Sequence, residues 1–385
     1  MNSIPSDADP PPAAAGPPAD PSSDRQLREI LDEAQGDIGI NPASIPHAPK
    51  RPRRRRKVRL PLLLFLLTCI TTYAAGCYQW VPTFMGLPFE IQVQAGDTYT
   101  DHEGQIVTAT RPQKVAAHWH SVLRYNWRDG LIYMVCVLSV LLFHEMGHFL
   151  MTLRHRVPAS LPFFIPFPMM LTGTMGAVIA MDPYKANRRE VFDIGIAGPL
   201  AGLLLILPMV ICGLKIADAE PLVPNATGYE WGDPLLVKIL IPLVRDMDQT
   251  KKDYARRTNQ PDSIKHDFTL KPNAILMAGW VGLLVTGLNM MPVSQLDGGH
   301  VLFGLLGSWS RYFARAFLIA VIVAMIWYNA YQWVLMLLLV IVIGPDHPPT
   351  ADDTAKLGPF RWTLGFVSLA IPILCFPPFV FRMIN

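Results

Sequence analysis

The chain has 385 residues, of which 51% are hydrophobic and only 16% charged, with a formal net charge of +3. A soluble protein would carry about a quarter charged residues, and here the apolar residues are gathered into long blocks, so a membrane protein is expected rather than a pair of soluble domains. The mild net charge hides Lys50, Arg51, Arg53, Arg54, Arg55, Arg56, Lys57 and Arg59, crowded together at the first apolar block. Such a run can bind nucleic acid; directly ahead of LPLLLFLLTCITTYAAG it reads instead as an anchor for a helix that starts in the cytoplasm, and no nucleic-acid partner is expected.

Residues 1–49 are rich in Pro, Ala, Asp and Ser and are expected to form a disordered cytoplasmic tail. A short amphipathic piece around Leu27, Ile30 and Leu31 interrupts it, and no early apolar region suggests a signal peptide. The basic anchor follows at 50–59 and the membrane domain at 60–385. A first span is expected at 60–78, with Tyr78 and Trp80 as interfacial aromatics, then an extracytoplasmic loop over 81–128. The second span, 130–153, ends in Arg154, His155 and Arg156, which puts this end in the cytoplasm. The block LPFFIPFPMMLTGTMGAVIAM (161–181) is a poor helix because of Pro162, Pro166 and Pro168, and basic residues flank both its ends. It is expected to enter and return, as a re-entrant loop or a short membrane-embedded β hairpin.

A third span is expected at 191–214, where Gly198 and Gly202 permit close helix approach. A mixed loop covers 215–271, amphipathic around PLLVKILIPLV; its Lys251, Lys252, Arg256 and Arg257 sit poorly with an outside location. The fourth span, 273–296, is interrupted by Pro292. Apolar residues at 316–343 form one tilted helix or a hairpin turning at WYNAYQW, and 362–381 completes an all-α multi-pass fold of about six spans, or seven. Cys69, Cys77, Cys136, Cys212 and Cys375 form no CxxC pair, so neither disulfides nor a thiolate zinc site is expected.

The chemistry lies in LLFHEMGHFL (141–150). His144 and His148 are four apart and share one face of a helix. Both imidazoles can reach one zinc ion, with Glu145 beside them to take a proton from water. Ionisable groups in an apolar span are costly and mark function; a histidine pair satisfied without metal is the plainer alternative. A catalytic zinc needs a third protein ligand. His118 and His120 of HWH lie in a loop on the other side, whereas Asp297 in NMMPVSQLDGGH follows a proline-broken helix and is the better candidate. If 161–181 is re-entrant, spans two and four run the same way, and His144, His148 and Asp297 share a depth. Roughly 15 Å of helix separates His144 from Arg154, so the centre would sit inside the bilayer near the cytoplasmic side. A metal-ion transporter using the same ligands and an inactive membrane scaffold are the alternatives to hydrolysis.

HEMGH, FDIGIAGPLAG and NMMPVSQLDGG, in this order, resemble the site-2 protease family of intramembrane zinc metalloproteases (peptidase family M50). The similarity runs over about 130–308, the catalytic core, and HPPTADDTAKLGP is similar to the tail of compact prokaryotic members. Neither an inserted PDZ-like domain nor a C-terminal CBS-type nucleotide-sensing domain is seen, and the Pro-rich N-terminus is unlike the family core. The resemblance implies one Zn²⁺ per chain held by His144, His148 and Asp297, with Glu145 as general base. It implies that Asn289 helps to hold the substrate or oxyanion, and that GTMGA (173–177) is a membrane-embedded strand. It implies too a single-pass membrane-protein substrate, first shortened by an upstream site-1-type protease, in the inner membrane of a prokaryote.

Overall fold

The computed structural model describes residues 58–80, 89–168, 172–181, 183–221, 228–258, 267–293, 295–344, 346–377, 379 and 381–384. The expected tail at 1–49 with its amphipathic piece, and the basic run apart from Val58 and Arg59, lie outside the described residues.

Helix α1 (Arg59–Cys77) matches the first expected span. The loop expected after it is, over its described part, a small folded unit. Strand β1 (Phe89–Val93) and three others, β2 (Thr98–Thr100), β3 (Ile106–Thr108) and β4 (Gln113–Ala117), form two antiparallel pairs, β1 with β4 and β2 with β3. Helix α2 (Trp119–Tyr125) follows, and Ile91, Val93, Tyr99, Ala117 and Val122 make a separate apolar core. Strands of three to five residues are too short to show their alternation in the sequence.

Helix α3 (Trp127–Arg154) carries the HEMGH stretch. The block after it forms an antiparallel hairpin, β5 (Phe163–Pro166) with β6 (Thr174–Val178). Ala159 and Met181 bridge one another, so the two ends of the block lie side by side. Proline explains the absence of helix here, because each ring removes a backbone donor. The tip of the hairpin is pinned from two sides. The Tyr133 hydroxyl donates to the Thr172 carbonyl at 3.2 Å. Gly173, at φ +73°, packs so closely on α1 that a Cβ would lie 2.5 Å from the Thr71 carbonyl oxygen.

Helix α4 (Arg188–Ile216) starts in a capping box, in which the Asn187 side chain accepts from the Glu190 N–H and the Glu190 carboxylate accepts from the Asn187 N–H. Pro199 and Pro208 lie inside it, as membrane helices tolerate. Strands β7 (Asp218–Pro221) and β8 (Gly228–Trp231) come next, and PLLVKILIPLV forms α5 (Leu235–Val244), followed by α6 (Met247–Thr258), which carries Lys251, Lys252, Arg256 and Arg257. Strand β9 (Phe268–Lys271) pairs with β7.

Helix α7 (Ala274–Asn289) is shorter than the expected 273–296. Its start is fixed by Asn273, which accepts from the Leu276 N–H at 2.9 Å and donates to the Gly213 carbonyl of α4 at 2.8 Å. Its end comes at the bend before Pro292, and Asp297 opens a new helix, α8 (Asp297–Leu306). Through a 3₁₀ turn at Gly307–Trp309 the chain continues into α9 (Ser310–Trp327). The chain then turns through 328–333 into α10 (Val334–Ile343), and Arg315 of α9 pairs with Asp346 beyond α10 at 2.5 Å. The 316–343 segment is therefore a hairpin rather than one tilted helix. The last apolar segment is divided into α11 (Pro359–Ser368) and α12 (Ile371–Cys375), and β10 (Phe381–Ile384) pairs with β8.

Among the described residues, four helical segments are long and apolar enough to cross a membrane: α1, α3, α4 and the bent Asp297–Trp327. The fold is that of a mostly helical membrane protein; a β hairpin stands within 161–181, where one was among the expected forms, and the antiparallel pairs elsewhere are a correction to the all-α expectation. The core lies where α7, buried along most of its length, packs against α3 and α4. Substituting Gly173→Ala should strain the left-handed backbone, at on the order of 1–3 kcal/mol, and push the hairpin off α1. A lower thermal unfolding midpoint in detergent is expected; an unchanged midpoint would mean that the hairpin does not rest on this helix.

Candidate metal centre

His144 and His148 project from one face of α3, with ring centroids 4.9 Å apart. Asp297, in the first turn of α8, meets them both. Its Oδ2 lies 3.1 Å from His144 Nε2 and its Oδ1 3.3 Å from His148 Nε2, while the two Nε2 atoms are 3.2 Å apart. Among the described residues this is the one group of three or more metal-ligating side chains gathered closely enough to hold an ion. His118 and His120 do not join it. His118 precedes α2 and His120 is exposed.

These spacings can be tested against zinc. Ligands at 2.0–2.1 Å in a tetrahedron are separated by about 1.63 bond lengths, or roughly 3.3 Å. The three observed separations, 3.1 to 3.3 Å, agree with that edge. Two imidazoles and one carboxylate also form a donor set that leaves a fourth position open.

Helix α4 orients the set. His148 Nδ1–H donates to the Ile194 carbonyl at 2.7 Å, which turns the Nε2 lone pair toward Asp297 and His144. In a helix that carbonyl points toward residue 198. Gly198 leaves it uncovered: a Cβ there would lie 2.1 Å from His148 Nε2. The spacing of Gly198 and Gly202 therefore provides room for imidazoles as well as for close packing.

The turn that carries Ile194 is itself held in place. Asp193 accepts two hydrogen bonds from Arg361 of α11, at 2.6 and 2.8 Å, and lies 3.1 Å from His155 Nε2 at the end of α3. Sequence reasoning missed this network. The signal for it was a lone Asp193 in an apolar helix, a costly placement that calls for a partner.

Glu145 is buried on the same turn of α3 as His144. Asn289, the last residue of α7, brings its side-chain Nδ2 within 3.3 Å of His144 Nε2. The structure thus brings His144, Glu145, His148, Asn289 and Asp297 together from α3, α7 and α8.

The sequence model described as peptidase family M50 matches residues 132–329. The chain belongs to this family, that of the site-2 proteases. Its curated relatives include "Probable zinc metalloprotease EGY1, chloroplastic" of Oryza sativa subsp. japonica, 35% identical over 175 residues, which cover 44% of this chain and 27% of the relative. The protein of the same name from Arabidopsis thaliana is 32% identical over 171 residues, 44% of this chain and 29% of the relative. "Probable zinc metalloprotease EGY2, chloroplastic" of Arabidopsis thaliana is 26% identical over 258 residues, 66% of this chain and 43% of the relative. The chain thus spans less than half of the length of each of these relatives. No solved structure matches the chain.

The M50 match includes most of α3 and all of α4 and α8, and with them the donor set. Gly198→Ala should drive a methyl group into His148 and weaken zinc binding by on the order of 10–100-fold, as loss of ligand-orienting groups does. Gly202→Ala, whose Cβ would lie 3.3 Å from His144 Nδ1, should have a smaller effect. Zinc content after dialysis against zinc buffers measures both, and equal retention by the two variants would rule out this account of the glycines.

Proposed function

We propose that this M50 chain is an intramembrane zinc metalloprotease, which hydrolyses peptide bonds within or near transmembrane segments of membrane-protein substrates. The observation that carries the reading is the convergence of His144, His148 and Asp297 within 3.1 to 3.3 Å, beside a buried Glu145, on a helix otherwise suited to lipid. Ionisable groups gathered within an apolar helix are costly and mark a functional site.

In this reading His144, His148 and Asp297 hold one zinc ion. When bound, zinc supplies a Lewis acid that polarises the scissile carbonyl and acidifies water. Glu145 accepts a proton from the attacking water and returns it to the nitrogen of the leaving amine. Asn289 donates its amide N–H toward the developing negative charge. In the same reading a substrate strand adds at the hairpin of β5 and β6, as an extended peptide can add to a sheet edge.

The topology proposed with this function has about six spans, or seven, with the N-terminus and the catalytic side in the cytoplasm. The basic run at 50–59 supports that orientation. The 161–181 hairpin is read as re-entrant. Its ends lie together at 159 and 181, and its tip meets Tyr133, 21 residues or roughly 31 Å along α3 from Arg154. The substrate is a single-pass protein that enters from the bilayer after an upstream cut, and the membrane is the inner membrane of a prokaryote.

Glu145→Ala should lower cleavage by on the order of 10²–10⁴-fold while the zinc content stays at the wild-type level. Quantitative membrane proteomics of cells with wild-type or variant protein measures this. Truncated single-pass stubs should accumulate with the variant alone; cleavage by the variant at the wild-type rate would overturn the assignment.

A further inference from the structure

Asp297 opens α8, a short helix whose far end is held in an unusual way. The last carbonyls of a helix have no partner within it. Two of those in α8 are taken by one side chain from α4: Arg188 Nε–H donates to the Gly304 carbonyl and Nη2–H to the Leu305 carbonyl, each at 2.9 Å. A longer contact, 3.5 Å, runs from Nη1 to the Asp353 carbonyl. The backbone N–H of Arg188 donates to Asp352 at 3.0 Å, and Ala351 N–H donates to Ala186 at 2.9 Å.

The same C-terminal segment touches α8 again at mid-length. His300 Nδ1 and His347 Nε2 are 2.7 Å apart, and the His347 ring stacks on Phe303 at 4.2 Å with an 8° interplanar angle. Burial pushes the His347 imidazole down to about 4, so the ring is neutral at pH 7. Its Nδ1–H donates to the Pro348 carbonyl, and its Nε2 accepts from His300.

We propose that Arg188 is a positioning residue for the metal ligand Asp297: its guanidinium fork sets the rotation and axial placement of α8 from the end opposite Asp297, and ties the 346–353 segment to the metal centre. The proposal rests on the reading of Asp297 as a zinc ligand.

The lever is short and stiff. From Asp297 to Leu306 is roughly 14 Å of helix. A slip of one residue would move the carboxylate by about 1.5 Å along the axis and turn it by about 100°, against a tolerance of about 0.2 Å in ligand distances. Two parallel bonds from a planar fork fix both motions. A lysine ammonium, a single point of charge, can face one carbonyl squarely but not both. The fork also carries positive charge to the negative end of the helix dipole.

The test uses the full chain in lipid nanodiscs, with zinc affinity measured by competition against a chromophoric chelator and the visible spectrum of Co²⁺-substituted protein as a readout of coordination. Arg188→Gln is expected to raise the zinc Kd by on the order of 10–100-fold and to change the Co²⁺ bands. Arg188→Lys, which keeps the charge and a single bond, should give a several-fold increase, and keeps the proposal falsifiable if Arg188→Gln does not fold. The neighbouring exposed Arg189→Gln should bind as the wild type does. Folded Arg188 variants with wild-type Kd and Co²⁺ spectrum, whatever their thermal midpoint, would overturn the proposal and leave Arg188 as a helix cap. A wild-type protein that binds neither metal would instead overturn the metalloprotease reading beneath it.

Discussion

A carboxylate and two imidazoles held within 3.3 Å of each other inside a helical membrane domain are the constraint on which the rest of this structure depends. Removed from water, such groups are tolerable only when they satisfy one another or a common ion. Two of them come from α3 and the third from α8, far along the chain, so the contact decides which helices must be neighbours. The 161–181 block folds back on itself as a hairpin, and its ends meet at 159 and 181. The bend after Asn289 must bring Asp297 beside the histidines of α3 and the first turns of α4, and it does so within a few residues.

Helix α4 is the reference body for this arrangement. Its first turns hold Arg188, which grips the far end of α8; Asp193, which grips α11 and the end of α3; and Ile194, whose carbonyl turns His148. Three functions within seven residues require that turn to be rigid, and the Asn187–Glu190 capping box fixes its start. Proline at 199 and glycine at 198 then work together. Proline removes one backbone donor, and glycine keeps the adjoining surface free for an imidazole.

Much of the site was legible in the sequence because its rules are local or chemical. A four-residue spacing on a helix, an acid beside it, and a lone Asp297 after a broken helix all read directly. Three of the long apolar helices read as well, since hydropathy over about twenty residues needs no tertiary knowledge. What could not be read depends on partners distant in sequence. Arg188 resembles any flanking basic residue until the carbonyls of Gly304 and Leu305 appear beside it. His347 lies in a proline-rich tail that gives no periodic signal, yet it stacks on Phe303. The folded unit after α1 escaped because its strands are too short for a pattern. The fourth span was expected to be too long because the apolar run continues past the point where Pro292 stops the helix.

The polar anchors therefore divide into two kinds. Near the metal centre the chain approaches itself closely: glycines face the imidazoles, Pro199 lies within α4, Pro292 lies in the bend before α8, and α7 ends at Asn289. The small residues let the helices approach closely, while the prolines and the end of α7 leave backbone groups without a partner inside their helix. The compensating interactions lie one or two turns away, at helix ends, where carbonyls and N–H groups are free to be captured: Asn187, Asn273, Arg188 and the Asp193–Arg361 pair. A site built where glycines and helix ends meet is held from its rim, by the side chains that close the ends of its helices.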